Sequence, residues 1–570
     1  MRATTEPPNS RTHQGGTSTI ACEEVRPDER RWSTFPDRRR VLVIARTFTS
    51  AVRAGEALDV LRGDFRLEFD FCFDDTSAFR HGVAELLARL RTRQVSWVEA
   101  VRTTYHLVIT ASENVDLTPF RAPVIVLPHG VGFQKWVPDS LGTGRRVSGI
   151  VREASRESGD IRLVVSHPDQ VEQLRSVSAR LAARSVVIGD LAFDRLRAGL
   201  RLRERYRDAL GLAAGQRLVV LTSTWGERSA LGAHERLPGR LLAELPVDGY
   251  RVAAVLHPNI WFRHGPWQVR HWLAEALDAG LLLIPPEDGW AAALVAADVV
   301  LGDHGSVTLY AAGLDRPLLL AAFGAEEVVA DTAIAHLGTH AAGLNVHAAL
   351  RPQIEQAMAE HVPGRYTSTA DRAFAHVGES NRRLADLCYD LLGLPAADNG
   401  AGRRTPNAPV PDRPRSARAF EVRSWSDADG GVHVVRYPAA VRPADEEPAG
   451  LRHLCAAESE PDQRFVENAS VVYRDSGAAE ARFPEHARRL LDLYPGALLS
   501  ATPAAGGCDC LLRDGRTVRL RSAAPLALPV LTGLAYTLLR ERRLVTGEHL
   551  LHVDGLGDGP HPVSVECATP

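Results

Sequence analysis

The sequence predicts an α/β protein in which two Rossmann-like units face each other across a cleft, followed by a smaller C-terminal unit. Three observations carry this. Short apolar strand patterns alternate with helical patterns from about residue 41 to 392. The alternation restarts near residue 202, giving two stretches of similar size, and it stops beyond a Gly/Pro/Arg/Asn-rich stretch at 399–418. Strand–helix–strand in steady succession means parallel sheets with right-handed crossovers.

In the first stretch, strand patterns fall at 41–45, 66–73, 106–110, 124–127, 163–166 and 186–188, with helical spacing at 49–61, 77–90 and after Pro168. In the second, strands are expected at 218–222, 252–256, 281–284, 299–301 and 318–321. Helices are expected at 237–245, 266–277, 290–296 and 307–313, with a long closing helix at 371–392. Two such units in tandem with a closing helix suggest the GT-B arrangement; a single long doubly wound sheet is the alternative. The expected division is a disordered leader (1–40), an N-terminal Rossmann-like acceptor domain (41–195), a C-terminal Rossmann-like donor domain (196–395), a linker (396–418) and a small α+β accessory domain (419–570). In this last part Asp-Ala-Asp-Gly-Gly between strands 420–425 and 432–437, and Asp514-Gly515 between 510–513 and 517–520, signal hairpins. Helices are expected there at 485–493 and 526–543.

Bulk properties narrow the function. A formal net charge of -3 gives no electrostatic reason for a nucleic-acid partner. No apolar run reaches the roughly 18–20 residues that span a bilayer. Residues 1–40 lack the apolar core of a secretory signal. Seven scattered cysteines form no disulfide framework, which leads to the expectation of a reduced, cytoplasmic protein. Cys508 and Cys510 stand close, but no further ligands follow at metal-site spacing, so neither a metal nor a cofactor is expected. Arginine dominates the 67 basic residues, in keeping with GC-rich coding, and Lys135 is the single lysine. A lone lysine in such a chain is less readily surface filler.

In doubly wound sheets, ligands bind at the carboxyl ends of strands. Pro128-His129-Gly130 follows strand 124–127. A neutral imidazole there suits a general base for an acceptor hydroxyl, with Gly130 allowing close approach and Lys135 placed to meet a carboxylate or phosphate. A histidine bonded to a loop carbonyl and a solvated lysine are the structural alternatives. His257-Pro258-Asn259 follows strand 252–256, and His257 could donate to a phosphoryl oxygen or simply cap a helix; Arg263 and His264 lie behind it. At Gly302-Asp303-His304-Gly305-Ser306 a strand opens through a Gly-containing turn into a helix, an anion site by its backbone N–H groups and dipole, with Ser306 as phosphate ligand or helix cap. Thr224 and Trp225 offer a hydroxyl and an aromatic face for a base, against core packing. His167, also at a strand end, reads as structural.

Taken in order, these segments resemble the CDP-glycerol glycerophosphotransferase family of teichoic acid polymerases and primases. Leu127-Pro128-His129-Gly130 through Lys135 is similar to its Trp-His-Gly-x-x-x-Lys motif, with Pro in place of Trp and a longer gap to the lysine. Thr222-Ser223-Thr224-Trp225 is similar to its Pro-Thr-Trp segment, His257-Pro258 to its His-Pro strand end, and Ala297 through Val307 to its Asp-Tyr-Ser-Ser turn, with His304-Gly305 in place of Tyr-Ser. Leu314-Asp315-Arg316-Pro317 fits its Leu-Asp-Lys-Pro continuation. The resemblance implies His129 as base and His257, Gly305 and Ser306 around a donor pyrophosphate. The expectation is a metal-independent GT-B transferase moving a glycerophosphate or glycosyl group from a nucleotide-activated donor, CDP-glycerol or a nucleotide sugar, to an unidentified acceptor hydroxyl. An acceptor held in a membrane and reached by peripheral contact is compatible with it. Two alternatives stand beside it. A nucleotide-sugar 2-epimerase would need cleft carboxylates, for which Glu326 and Glu327 are at hand. A catalytically degenerate nucleotide-binding scaffold is the other.

Overall fold

The computed structural model describes residues 34–569, apart from 36, 78, 140–143, 153–158, 398–401, 403, 442–449, 476–482 and 558. The proposed leader therefore lies outside the described residues up to position 33, and at its other end Arg39 and Arg40 already belong to the first strand.

Seven strands make the first sheet: β1 (Arg39–Ala45), β2 (Leu67–Phe73), β3 (Gln94–Val95), β4 (Leu107–Thr110), β5 (Val124–Val126), β6 (Ile161–Val165) and β7 (Ser185–Val187). All pairings are parallel and the order is β3-β2-β1-β4-β5-β6-β7, so the direction of winding reverses between β1 and β4. Both faces are covered, which is why the central strands β4 and β5 are apolar runs, whereas β2 near the edge alternates. Leu42, Ile44, Val108 and Val126 pack on one face, Val41, Val43, Leu107 and Ile125 on the other.

The second sheet has six parallel strands: β8 (Arg217–Ser223), β9 (Tyr250–Leu256), β10 (Leu282–Ile284), β11 (Val299–Gly302), β12 (Leu318–Leu320) and β13 (Ala342–Gly343), in the order β10-β9-β8-β11-β12-β13. The single long sheet considered from sequence is not what forms. The closing helix is Ser380–Leu392, nine residues shorter than expected, because Asp194 binds the N–H groups of Gly378 and Ser380 and holds the preceding segment in a turn. Its Leu384, Cys388 and Tyr389 pack back on the first sheet, tying the two units together.

Several other boundaries shifted. The helix expected at 77–90 is Val83–Arg89, since Gly82 at φ 81° cannot continue a helix backwards. The helix expected at 266–277 breaks at Leu273 into Pro266–Trp272 and Ala274–Asp278.

The C-terminal part departs most from the α+β expectation. Nine strands close into a barrel: β14 (Ala419–Ser426), β15 (Val432–Pro438), β16 (Leu451–Ala457), β17 (Val471–Tyr473), β18 (Leu499–Ala504), β19 (Gly507–Leu512), β20 (Thr517–Ser522), β21 (Gly547–Val553) and β22 (His561–Ala568). Their alternate residues, among them Val422, Val434, Cys455, Cys510 and Val565, share one core with Val530, Leu531 and Leu534 of the helix Leu528–Arg540. A helix apolar all round needs cover on every side, and the barrel supplies it. The barrel docks on the second unit through two bidentate pairs, Arg436 with Asp248 (2.7 and 2.7 Å) and Arg351 with Asp554 (2.6 and 2.8 Å). The loop carrying Asp248 precedes β9, so this contact lies at the amino end of the strand, away from the carboxyl ends that face the first unit.

Candidate functional site

The carboxyl ends of the two sheets converge on one cavity of about 790 Å³. From the first unit β1 delivers Arg46 and Thr47, β4 delivers Glu113 and Asn114, and β5 delivers His129 and Gly130; from the second β8 delivers Thr224 and Trp225, β9 delivers His257, and β11 delivers Gly305 and Ser306. The units approach so closely here that a Cβ on Gly130 would stand 2.9 Å from the Ser306 hydroxyl. Phe262 of the second unit stacks on Phe48 of the first at 4.3 Å, closing one flank.

On the first unit's side, His129 Nδ1 lies 3.6 Å from the carboxylate of Glu113. Glu113 is 5% exposed. It accepts from Arg146 Nη2 at 2.9 Å and from the Gly149 N–H at 3.4 Å. Burial works to raise the Glu113 carboxyl, but His129, Arg146 and these hydrogen bonds outweigh it, so it sits below the ordinary carboxylate range. An ionised carboxylate beside Nδ1 favours the proton on that nitrogen and leaves Nε2 free to accept one. Gly132 at φ 66° then turns the chain so that Lys135 returns to the cavity. Its ammonium donates to Thr224 Oγ1 across the cleft at 2.9 Å. Burial lowers the Lys135 pKa, opposed by Asp303 and Glu327.

On the second unit's side, His257 caps the helix Pro258–His264: its Nδ1 accepts from the Asn259 N–H at 3.1 Å. The acceptor nitrogen is thus used, and the hydrogen belongs on Nε2. Burial first, then Lys135 and His129, push this imidazole down to about 3, so it is a neutral donor at ordinary pH. Of the two sequence readings, donor to a phosphoryl oxygen or helix cap, the cap is what forms, and the same residue also lines the cavity. The helix Ser306–Gly313 starts at Gly305, which has no side chain to cap it, and Ser306 turns its hydroxyl to Gly130. Ser306 is therefore not the helix cap. Trp225 lines the cavity, its ring 5.7 Å from that of Phe79 in the first unit.

Three proposed donor ligands do not reach the cavity. Asp303 is fully buried and its carboxylate is spent on backbone: it accepts from the N–H groups of Thr224 (2.8 Å), Ala230 (2.9 Å) and Gly305 (2.9 Å), bracing the two loops that do line it. His304 is also fully buried; Nδ1 accepts from Gly324 N–H and Nε2 meets Glu327 at 2.9 Å. Arg263 is exposed in the last turn of the helix that leads away from His257. His167 caps the helix Pro168–Val177 and is not at the cavity.

Sequence reasoning missed Glu113, Arg46, Arg146 and Arg152, which all line the cavity. Glu113 was findable, because Ser112-Glu113-Asn114 directly follows a strand. Arg146 was not, because it comes from a ribbon of Trp136–Pro138 and Arg145–Val147 with no strand pattern in its sequence.

Neither a protein-family model nor a curated protein matches the chain. Among solved structures, the S. aureus MnaA–UDP co-structure is 13% identical with a TM-score of 0.38, over 64% of this chain and 99% of that one. The wall teichoic acid polymerase TagF is 12% identical with a TM-score of 0.38, over 62% and 88%. The UDP-GlcNAc 2-epimerase from Neisseria meningitidis bound to UDP-GlcNAc is 14% identical with a TM-score of 0.39, over 62% and 100%. Likenesses this distant do not bear on the reaction.

Proposed function

We propose that the chain is a GT-B-type transferase that moves a glycerophosphate or glycosyl group from a nucleotide-activated donor to an acceptor hydroxyl. The observation that carries this is the sharing of one cavity by a carboxylate–histidine pair, Glu113–His129, and a facing set of donors, His257, Lys135 and the start of the helix at Ser306, which no side chain caps.

His129 Nε2 takes the proton of the acceptor hydroxyl as its oxygen attacks the donor. The imidazolium formed is held through Nδ1 by Glu113. The bond from the transferred group to the leaving nucleotide breaks, and its electron pair ends on a phosphate oxygen. The His257 Nε2–H, the Lys135 ammonium and the N–H groups of the helix start meet that charge. Attack at phosphorus in CDP-glycerol releases CMP, whereas attack at a sugar carbon releases the nucleoside diphosphate, so the nucleotide product identifies the reaction. Of the carboxylates an epimerase would need, Glu326 and Glu327 do not line the cavity and Glu327 is engaged by His304, whereas Glu113 and Asp139 do line it.

A thermal-shift panel of CDP-glycerol, UDP-sugars, GDP-sugars and free nucleotides tests the reading. Stabilisation by at least one activated donor, with nucleotide release when acceptor alcohols are added, is the expected outcome. Stabilisation by none would overturn it.

A further inference from the structure

We propose that the C-terminal barrel carries a transition-metal site made of Asp427, His433 and His552, independent of the cleft and of the reading given for it. Their ligand atoms lie within 4.8 Å of one another. Asp427 Oδ2 is 3.0 Å from His433 Nε2 and 4.0 Å from His552 Nε2. Two ligands each about 2.1 Å from a tetrahedral ion stand roughly 3.4 Å apart, so the observed spacings bracket what chelation needs.

The backbone fixes this grouping. His433 on β15 and His552 on β21 are direct partners in a parallel pairing, on the face of each strand opposite Val432, Val434, Leu551 and Val553, which point into the core. Asp427 belongs to the tight turn between β14 and β15, where its Oδ1 accepts from the Gly431 N–H at 2.8 Å. That bond aims Oδ2 at the two imidazoles. The neighbouring cation, Arg543, is paired with Glu541 at 3.1 Å and donates to the Gly430 carbonyl, so the turn does not present a bare positive charge to an incoming ion.

The two rings stack at 4.3 Å and 8°. Parallel stacked rings cannot aim both Nε2 lone pairs at one point, so one must turn. His433 is held between Trp425, 5.2 Å away at 4°, and His552. Among the described residues no second ring stacks on His552, which is one-third exposed, so His552 is the one that would turn about its Cβ–Cγ bond. Two imidazoles and one carboxylate suit zinc and its neighbours in the transition series, whereas magnesium and calcium prefer all-oxygen sites.

Placement suggests what the ion does. β15 and β21 pair over three residues only, Val432–Val434 with Leu551–Val553, and this is the parallel seam that joins the first two strands of the barrel to its last two. An ion held by Asp427, His433 and His552 staples that seam.

The test uses the full untagged chain under reducing conditions, titrated with CoCl2 and ZnCl2, with MgCl2 as comparison. The expected result is saturable binding of one cobalt per chain, visible d–d absorption without a thiolate-to-cobalt band, a rise in melting temperature with zinc and none with magnesium. His552→Ala and Asp427→Asn should each weaken zinc binding about tenfold or more, the order expected for loss of a ligand. Both positions are partly exposed, so the variants should melt like the parent without metal, and His552→Gln serves if one does not. Absence of binding, a thiolate band pointing to Cys508 and Cys510 instead, or affinity unchanged in these variants would overturn the proposal.

Discussion

Replacing Glu113 with Gln removes a charge and leaves a shape, and so isolates what the carboxylate does for His129. At 3.6 Å and an effective dielectric near 20, the pair of a carboxylate and an imidazolium is worth about 4–5 kcal/mol. Two features reduce this. The His129 side chain is 37% exposed, and Arg146 already compensates Glu113 from 2.9 Å. About half survives, roughly 2 kcal/mol, and it applies only while His129 carries the proton, which is in the transition state. The predicted loss in kcat is therefore on the order of 10–100-fold. Donor KM should hold within about a factor of two, since Glu113 stands on the first unit's side, opposite the groups proposed to hold the donor, and interactions made only in the transition state move kcat and kcat/KM together. The assay is nucleotide release with whichever donor the panel identifies, measured beside His129→Ala, which should lose more. A Glu113→Gln enzyme with kcat within threefold of the parent, or one whose defect lies wholly in KM, would refute this role.

His257→Ala should weaken donor binding about tenfold and lower stability by about 1 kcal/mol through loss of the helix cap, read by titration calorimetry and thermal melts. Gly130→Val puts a branched side chain where a Cβ alone already meets Ser306 at 2.9 Å; transfer should be abolished while the chain stays folded by circular dichroism, and retained turnover would argue against a tight cleft floor. The fold should also be acid-sensitive. His257 and His453 are both pushed down to about 3, chiefly by burial, so each is neutral when folded and takes up a proton on unfolding. Stability is then full above the unfolded pKa near 6.5 and falls as pH drops towards 3, by about 2 kcal/mol per histidine between pH 7 and 5. His453 is 4% exposed, stacked on Tyr536 at 3.9 Å, and neither ring nitrogen has a partner among the described residues. His453→Phe should flatten the pH dependence of the melting temperature; a curve parallel to the parent's would show that this histidine is not its source.

Much of this architecture was legible in the sequence because parallel strands buried on both faces are apolar runs, and such runs are short and easily bounded. That residues 129, 257 and 305–306 line the cavity followed from the same rule, that residues directly after a strand of such a sheet face the cleft. The rule over-reached at Asp303 and His304. A carboxylate inside a turn can spend its oxygens on backbone N–H groups, and an imidazole can turn inward, and spacing along the chain records neither. It was under-applied at β4, where Glu113 stands just as His129 does after β5. The barrel was hardest. Closure depends on which distant strands meet, as β15 does β21, and β17 has only three residues. The proposed metal site shares that difficulty, because His433 and His552 become neighbours only through that pairing.

The central claim is that the cleft has two sides with different tasks, and donor affinity in single variants tests it most directly. Equilibrium titration of the activated donor into the parent, His129→Ala, His257→Ala and Lys135→Met proteins should give near-parental affinity for His129→Ala and weakened affinity for the other two. Loss of donor binding in His129→Ala with parental binding in His257→Ala and Lys135→Met would contradict the account.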